Sequence, residues 1–285
     1  MTSPGTVVAV AQPAVTAAEP AANREAIRAA VVEAADAGAR LVVLPELADS
    51  GYMLSGAGEA RSLASAAATS ATLREWRSLA AEHDLSIAGG FCELGTDGML
   101  YNSAAIVDAS GTRAVYRKVH LWDDEKKIFT PGGDVPAVVE LPFGNVGLMI
   151  CYDLEFPEWV RLAALSRADL IAVPVAWSAT GTIPPAGERS GEVVSAQAAA
   201  SANGVFVAIA DRCGHERGVD WLGGSVILRR SGYPAAGPVC ENRPAVLTAT
   251  LDLRRARDKR ISERNDLFAD RRPDLYGRLV QEVPR

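Results

Sequence analysis

Apolar residues along the chain occur either in short continuous runs or at helical spacing. The runs TVVAVAQ at 6–12 and LVVLPE at 41–46 are rich in β-branched residues, which indicates buried strands. Between them, the segment 23–40 places Ile27 and Val31 on one helical face. This order predicts a strand, a helix and a second strand.

The same alternation continues to residue 91 and then changes. The spacing of apolar residues predicts an amphipathic helix at 72–84 and a short strand at 85–91. After them, the runs NSAAIVD at 102–108 and RAVYRK at 113–118 flank a turn that contains glycine. We therefore expect a hairpin beyond the third strand.

The second half of the chain repeats this order of a hairpin followed by alternating elements. Helices are predicted from about Pro157 and at 191–203. Strands are predicted at 138–142, 146–151, 170–175, 205–211, 222–229 and 245–251. The pattern predicts an α/β fold with two sheets whose outer faces are covered by helices.

Composition favours one large domain. Of the 285 residues, 48% are hydrophobic and 22% are charged, which is enough apolar material for a sizeable core. No Pro/Gly/Ser-rich linker divides the chain, so we expect one domain over 1–251. The charged segment 252–285 is expected to be an extension that packs on the domain or at a dimer interface. The longest predicted loop, 178–191, is either a pocket lid or an ordinary surface loop.

Charge and cysteine usage exclude several classes of protein. The formal net charge of −6 argues against a nucleic-acid partner, which would require a concentrated basic face. No run of about eighteen apolar residues could span a bilayer, and the N-terminus lacks the basic start of a signal peptide. We therefore expect no membrane partner and a cytoplasmic location. Four widely spaced cysteines and three histidines predict neither a metal site nor a disulfide scaffold.

Three reactive side chains fall at the ends of predicted strands. Glu46 follows LVVLP, Lys118 ends RAVYRK, and Cys151 ends VGLMIC. Ligands collect at the carboxyl edge of sheets in α/β folds, so these residues are candidates for one site. Each has a simpler interpretation when taken alone, because such glutamates cap helices, lysines in turns are solvated, and free cysteines are commonly small core residues.

Three stretches of the sequence resemble the signatures of a known family. They are LVVLPELADSGY (41–52), YRKVHL (116–121) and GLMICYDLEFPE (147–158), and they are similar in order and spacing to the carbon-nitrogen hydrolases of the nitrilase superfamily. The resemblance implies a four-layer αββα sandwich with a Glu-Lys-Cys triad formed by the three residues above. It also implies a homodimer or a higher homo-oligomer, a small amide as substrate, and chemistry that needs no metal or organic cofactor.

Elementary chemistry explains why these residue types belong together. A free thiol with a pKa of about 8.5 is mostly protonated at neutral pH, so Cys151 needs a base or a nearby cation. Glu46 is the candidate base. Lys118 is the candidate cation, and together with the backbone N–H of Tyr152 it would stabilise charge on the substrate oxygen. A thioester on Cys151 would then be released by water that Glu46 activates.

The resemblance adds further candidates around the triad. Many amide-cleaving relatives carry a second glutamate after the lysine, which here is Glu125; it would hold the lysine and orient the substrate. The alternative is a solvent-facing charge within DDEKK, and Asp124 is expected to point elsewhere. Aromatic residues beside the motifs either line the substrate pocket or pack in the core: Tyr52, Trp122, Tyr152 and Trp177.

Other residues near the motifs receive more modest interpretations. His120 is expected to be a structural hydrogen-bonding residue rather than a second base. Asp211 stands where many relatives carry Asn, and the sequence gives no consequence for this difference.

The residues after the nucleophile rank the possible reactions. Nitrile-cleaving relatives usually have Trp and then Glu there, whereas this chain has Tyr152 and Asp153. We therefore rank hydrolysis of a small carboxamide first, hydrolysis of an N-carbamoyl (ureido) compound second and hydrolysis of a nitrile third. A non-enzymatic binding or assembly module of the same fold is the alternative from another class.

Overall fold

Two six-stranded sheets form the centre of the molecule, and the computed structural model describes residues 5–179 and 188–281 of it. The first sheet consists, in spatial order, of β14 (Ala245–Leu251), β1 (Thr6–Gln12), β2 (Leu41–Val43), β3 (Ser86–Leu94), β4 (Leu100–Asp108) and β5 (Gly111–Arg117). The second consists of β13 (Pro234–Ala236), β12 (Val226–Leu228), β9 (Phe206–Ala210), β8 (Leu170–Pro174), β7 (Gly144–Leu148) and β6 (Val138–Leu141).

Each sheet has a parallel centre with antiparallel strands at its edges. In the first sheet β1, β2 and β3 run parallel, and in the second β7, β8 and β9 do so. The short hairpin of β10 (His215–Glu216) and β11 (Val219–Asp220) lies outside both sheets. The carboxyl ends of the central strands are therefore available to form a site.

Alternation along the central strands separates two cores. Val8 and Val43 belong to the core between the sheets, whereas Ala9 and Val42 pack beneath the helices outside the first sheet. Those helices are α1 (Pro20–Asp36) and α3 (Ala71–His83), and the second sheet is covered by α5 (Pro157–Leu165) and α6 (Gly191–Asn203). The predicted four-layer αββα sandwich is thus confirmed.

Several predicted boundaries differ from the structure. Helix α1 occupies 20–36 rather than 23–40, because Pro20 fits its first turn and Gly38 beyond its end has a φ of +81°. Strand β2 ends at Val43, ahead of Pro45. The strand predicted at 222–229 is limited to β12, since Gly223 turns the backbone with a φ of +66°.

Short elements in the connections were missing from the sequence prediction. They are α2 (Ala57–Leu63), α4 (Glu125–Ile128), β13 and the hairpin of β10 and β11. All contain two to seven residues, too few to show a hydrophobic period. The predicted loop at 178–191 lies largely outside the described residues, which omit 180–187. Within the described residues, no helix is long and apolar enough to cross a membrane.

The segment after Asp252 packs on the sandwich over its first part. A 3₁₀ helix at Leu253–Arg257 buries Leu253, and the Arg257 guanidinium bonds to the carboxylate of Asp169 at 2.8 Å. Lys259 Nζ donates to the carbonyls of Asn203 and Gly204, both at 3.0 Å. This part of the tail therefore fixes the end of α6.

Candidate active site

The glutamate turn, residues 45–47, leaves the carboxyl end of β2 and lies against β3. A Cβ placed on Gly90 of β3 would approach the backbone nitrogen of Leu47 to 2.5 Å and the Cα of Glu46 to 2.7 Å. Only glycine allows this close approach. Leu47 itself has a φ of +43°, so the chain turns sharply and directs Glu46 inward.

The Glu46 carboxylate is fully buried and has two different oxygens. Its Oε1 accepts from Lys118 Nζ at 2.7 Å and from Asn102 Nδ2 at 2.7 Å. Its Oε2 is buried and has no hydrogen-bond partner among the described residues. The first oxygen is therefore held in place, while the second is able to accept a proton.

Lys118 lies between two carboxylates just after β5. Its side chain is fully buried, and Nζ donates to Glu46 and Glu125, both at 2.7 Å. Burial alone would lower the pKa of Lys118, but the charges of Glu46 and Glu125 outweigh it and raise the pKa above its usual range. Lys118 is consequently a fixed ammonium.

Glu125 begins the short helix α4 and is nearly buried. Its Oε1 accepts from Lys118 and from the Tyr52 hydroxyl at 2.5 Å. Its Oε2 accepts from the backbone N–H of Trp122 at 3.2 Å. Burial raises the pKa of the Glu125 carboxyl, and Lys118 acts in the opposite direction. Its neighbour Asp124 is exposed and pairs with Lys127.

The cysteine elbow, residues 150–153, leaves the carboxyl side of β7. Cys151 has a φ of +46° and opens a 3₁₀ helix over Cys151–Glu155, after which α5 starts at Pro157. The buried Asp153 accepts from the Ile150 N–H at 3.1 Å and so closes the turn. The left-handed conformation costs free energy for a residue other than glycine. Residues in this conformation are concentrated at functional sites.

The environment of Cys151 keeps its thiol protonated in the free protein. Burial raises the pKa of Cys151 well above its usual range, and the Glu46 carboxylate raises it further. The charge of Lys118 and the backbone N–H of Ala176 act in the opposite direction. A reaction at Cys151 would therefore require a base, and the Glu46 carboxylate is close enough to act on the pKa of this thiol.

A cleft of about 260 Å³ opens beside this cluster. Among the described residues, its wall includes Tyr52, Trp122, Glu125 and Trp221. Tyr52 and Trp221 are in edge-to-face contact, with ring centroids 5.6 Å apart. The cleft is small, which suits a short substrate.

Comparison with known proteins agrees with this geometry. The family model described as carbon-nitrogen hydrolase matches residues 7–261. The chain belongs to the carbon-nitrogen hydrolase family. The resemblance seen in the sequence is thereby confirmed, and the protein is an enzyme of the nitrilase superfamily.

The relatives of this carbon-nitrogen hydrolase are named for different activities. It is 36% identical to a nitrilase of Pyrococcus abyssi over 91% of this chain and 95% of that one. It is 30% identical to a citrullinase of Francisella tularensis over 92% and 94%. An amidase from Nesterenkonia sp. superposes with a TM-score of 0.78 at 27% identity, covering 98% of each chain. A variant of that amidase carries acrylamide added at its active-site cysteine.

The structure brings Glu46, Lys118, Glu125 and Cys151 of this hydrolase together, but it separates the four aromatic candidates. Tyr52 and Trp122 line the cleft. Tyr152 lies beside Trp122, with ring centroids 4.9 Å apart. Trp177 packs in the core near Gly224, and its neighbours Ala176 and Ser178 line the cleft instead.

His120 and Asp211 hold neighbouring segments of this hydrolase in place. His120 Nδ1 lies 2.7 Å from Asp153 Oδ1, and its ring stacks on Phe156 with a centroid distance of 3.8 Å. The Asp211 carboxylate accepts the backbone N–H groups of Trp177, Arg212 and Gly224, at 3.1, 2.9 and 2.8 Å. An Asn there would offer only one oxygen to these donors.

Some residues around the site were not identified from the sequence. Asn102 holds Glu46, Trp221 lines the cleft, and Arg212 with Glu216 braces the segment that follows Glu46. None of them lies in the stretches that carry the resemblance. For Arg212 and Glu216, the one available signal was two opposite charges four residues apart after a strongly apolar strand.

Proposed function

We propose that this enzyme hydrolyses a small carboxamide to a carboxylic acid and ammonia through a thioester on Cys151. The observation that carries this proposal is the fixed Lys118 ammonium between Glu46 and Glu125, beside a buried thiol. Because the second oxygen of Glu46 has no partner among the described residues, it is the group suited to move protons.

Acylation uses both the base and the ammonium. Glu46 takes the proton of the Cys151 thiol, and the sulfur electron pair forms a bond to the amide carbon. The carbonyl electrons move to oxygen, where Lys118 and the Tyr152 N–H stabilise the charge. When the carbonyl reforms, the C–N bond breaks, Glu46 returns its proton to the nitrogen, and ammonia leaves.

Deacylation repeats these roles with water. Glu46 removes a proton from the water as its oxygen attacks the thioester carbon, and the same oxyanion donors stabilise the intermediate. The C–S bond then breaks, the sulfur regains its proton from Glu46, and the carboxylic acid leaves. One carboxylate therefore serves both half-reactions.

Glu125 favours an amide over a nitrile as substrate. Its carboxylate is nearly buried and lies on the wall of the cleft, so it is able to accept a hydrogen bond from an NH₂ group. A nitrile has no N–H to donate, so it would leave the Glu125 carboxylate without this hydrogen bond. A site built around a polar partner rejects an analogue that lacks it.

Ammonia release from an amide, a nitrile and an N-carbamoyl compound of matched carbon skeleton tests this proposal. We expect kcat/KM to be highest for the amide, and we expect Glu125→Gln to narrow the difference or abolish activity. Glu25→Gln is the matched control, because that carboxylate is exposed on α1, on the outer face of the first sheet and away from the cleft. Faster turnover of the nitrile would contradict the proposal, and faster turnover of the carbamoyl compound would favour the citrullinase-like activity.

We also propose that the enzyme acts as a homodimer through α5 and the tail. Leu162 and Leu165 of α5 expose 39% of their surface each, and Leu275 and Leu279 of the tail expose 67% and 61%. Arg161 of α5 lies over the ring of Phe268 in the tail, 5.3 Å from its centroid, so α5 and the tail are neighbouring segments. Exposed apolar side chains on such a surface are typical of an interface. Light scattering should give the mass of a dimer for the wild type and of a monomer for Leu162→Arg, while Val135→Arg elsewhere on the surface should change nothing.

A further inference from the structure

Arg212 and Glu216 form an ion pair in which both side chains are fully buried. Arg212 follows β9, Glu216 lies in β10, and Nη1 is 3.1 and 3.2 Å from the two carboxylate oxygens. The Nε of Arg212 is buried without an acceptor among the described residues. Because burying two charges is costly and an apolar pair is often as stable, stability alone is a weak reason for this arrangement.

The guanidinium reaches across to the glutamate turn. Its Nη2 donates to the backbone carbonyls of Glu46 and Leu47, the latter at 3.2 Å. Leu47 has a φ of +43°, and this left-handed turn leaves two successive carbonyls near one donor. Arg212 therefore holds the backbone that directs the Glu46 carboxylate.

The carboxylate of the pair holds the other end of the same segment. Glu216 Oε2 accepts from the backbone N–H groups of Tyr52 and Met53, at 3.0 and 3.1 Å. The Tyr52 hydroxyl in turn donates to Glu125. Each carboxylate that binds Lys118 is thus connected to this one ion pair.

We propose that Arg212 and Glu216 are positioning residues, which fix the segment 46–53 so that Glu46 and Tyr52 face the reacting groups. The proposal rests on the proposed function in taking Glu46 as the base. A displacement of about 1 Å in a reacting group costs on the order of 10²-fold in rate, so loss of the pair should act on kcat.

The double variant Arg212→Met/Glu216→Gln tests this proposal. It removes both charges together and keeps an amide oxygen for the N–H groups of Tyr52 and Met53, which avoids an unpaired buried charge. We expect kcat per active site to fall about 10²-fold with KM within about threefold of the wild type. Active sites are counted by complete alkylation of Cys151 with iodoacetamide in a Cys240→Ser background, read by intact mass.

Two further variants complete the design. Arg212→Lys keeps the charge but not the planar fork, so we expect a folded enzyme whose kcat falls about 10-fold. Arg28→Met/Glu75→Gln makes the same chemical changes in an ion pair between α1 and α3, at 2.7 Å, on the outer face of the first sheet. This control should leave kcat per active site unchanged.

The outcomes separate a positioning role from a structural one. If the double variant and Arg212→Lys lower only the melting temperature or the yield, with kcat per active site within twofold of the wild type, the proposal is wrong. If the double variant does not fold, the kcat of Arg212→Lys alone decides. Full activity of Glu46→Gln would instead contradict the proposed function, whatever the Arg212 variants show.

Discussion

The two turns that carry Glu46 and Cys151, the groups proposed to react, differ in how they are held. The glutamate turn leaves the first sheet and is braced by Arg212, which follows β9 of the second sheet. The cysteine elbow leaves the second sheet, and its Asp153 accepts from His120 and from the Tyr116 hydroxyl of the first sheet, at 3.0 and 2.7 Å. Each turn is therefore fastened by the sheet opposite its own.

The difference lies in the chemistry of the two attachments. The glutamate turn depends on a buried ion pair that donates to backbone carbonyls, whereas the elbow depends on one buried carboxylate that accepts from surrounding donors. Both turns contain a left-handed, non-glycine residue, with φ values of +43° at Leu47 and +46° at Cys151. Such conformations persist only where the surroundings determine them, and here the surroundings are the opposite sheet.

The largest expected effect removes the chemistry of the elbow without changing its backbone. Cys151→Ala should reduce ammonia release below a few per cent of the wild type, because no other nucleophile is proposed. Alanine nearly fills the same space, so the melting temperature should stay within a few degrees. Retention of substantial turnover by this variant would exclude Cys151 as the nucleophile.

The corresponding change in the glutamate turn is Glu46→Gln. It keeps size and the oxygen that faces Lys118 but removes the base, and general base catalysis contributes about 10²–10⁴-fold. We expect kcat to fall by roughly that factor and stopped-flow traces to show no burst of ammonia. A burst of full amplitude followed by slow turnover would restrict Glu46 to deacylation.

A smaller effect is expected from the attachment of the elbow. In Asp153→Asn an NH₂ group replaces one carboxylate oxygen. This NH₂ group would face a hydrogen-bond donor, either the backbone N–H of His120 or the hydroxyl of Tyr116, instead of accepting from it. A mismatched buried group of this kind costs about 1–3 kcal/mol. Urea denaturation should show this loss, and kcat should fall about 10-fold. The control is Glu158→Gln on α5, an exposed carboxylate that should leave both quantities unchanged.

The smallest expected effect is a pH dependence of the free energy of unfolding. It arises from Asp211, which precedes Arg212 in the sequence. Burial raises the pKa of Asp211 from 3.8 to about 6, despite the N–H groups that bond to it. The native state therefore binds more protons than the unfolded state between pH 4 and 6, so this group lowers the free energy of unfolding as the pH rises.

Asp211→Asn removes this titration. From pH 4 to pH 7, the free energy of unfolding of the variant should gain roughly 1–3 kcal/mol relative to the wild type. The exposed Asp134→Asn variant should show no such trend. A difference that does not change with pH would mean that Asp211 does not titrate in this range.

The strands and the candidate site residues were accessible from the sequence because both depend on local patterns. Glu46, Lys118 and Cys151 lie in short motifs at strand ends, and the hydrophobic runs predicted both sheets. The supporting contacts pair positions far apart: Asn102 with Glu46, and Tyr52 with Glu125. No period or spacing along the chain reports such a contact before the sheets are packed.

The placement of Trp177 shows a second limit. Side chains alternate between the two sides of an extended segment, so an error of one residue moves a side chain to the opposite side. The motif located the end of β8 but did not predict which of the residues after it face the cleft. Ala176 and Ser178 consequently line the cleft, while Trp177 packs in the core.

The pairing of β1 with β14 has a consequence for how the protein is made. Thr6 lies opposite Leu251 and Gln12 lies opposite Ala245, so the strand beside β1 is synthesised only after the whole chain between them. At about 5–20 residues per second, the ribosome needs roughly 10–50 s to reach it after β1 has emerged. During that interval the nascent chain displays an unpaired apolar edge, and we expect chaperones that bind such edges to engage it until β14 is available to pair.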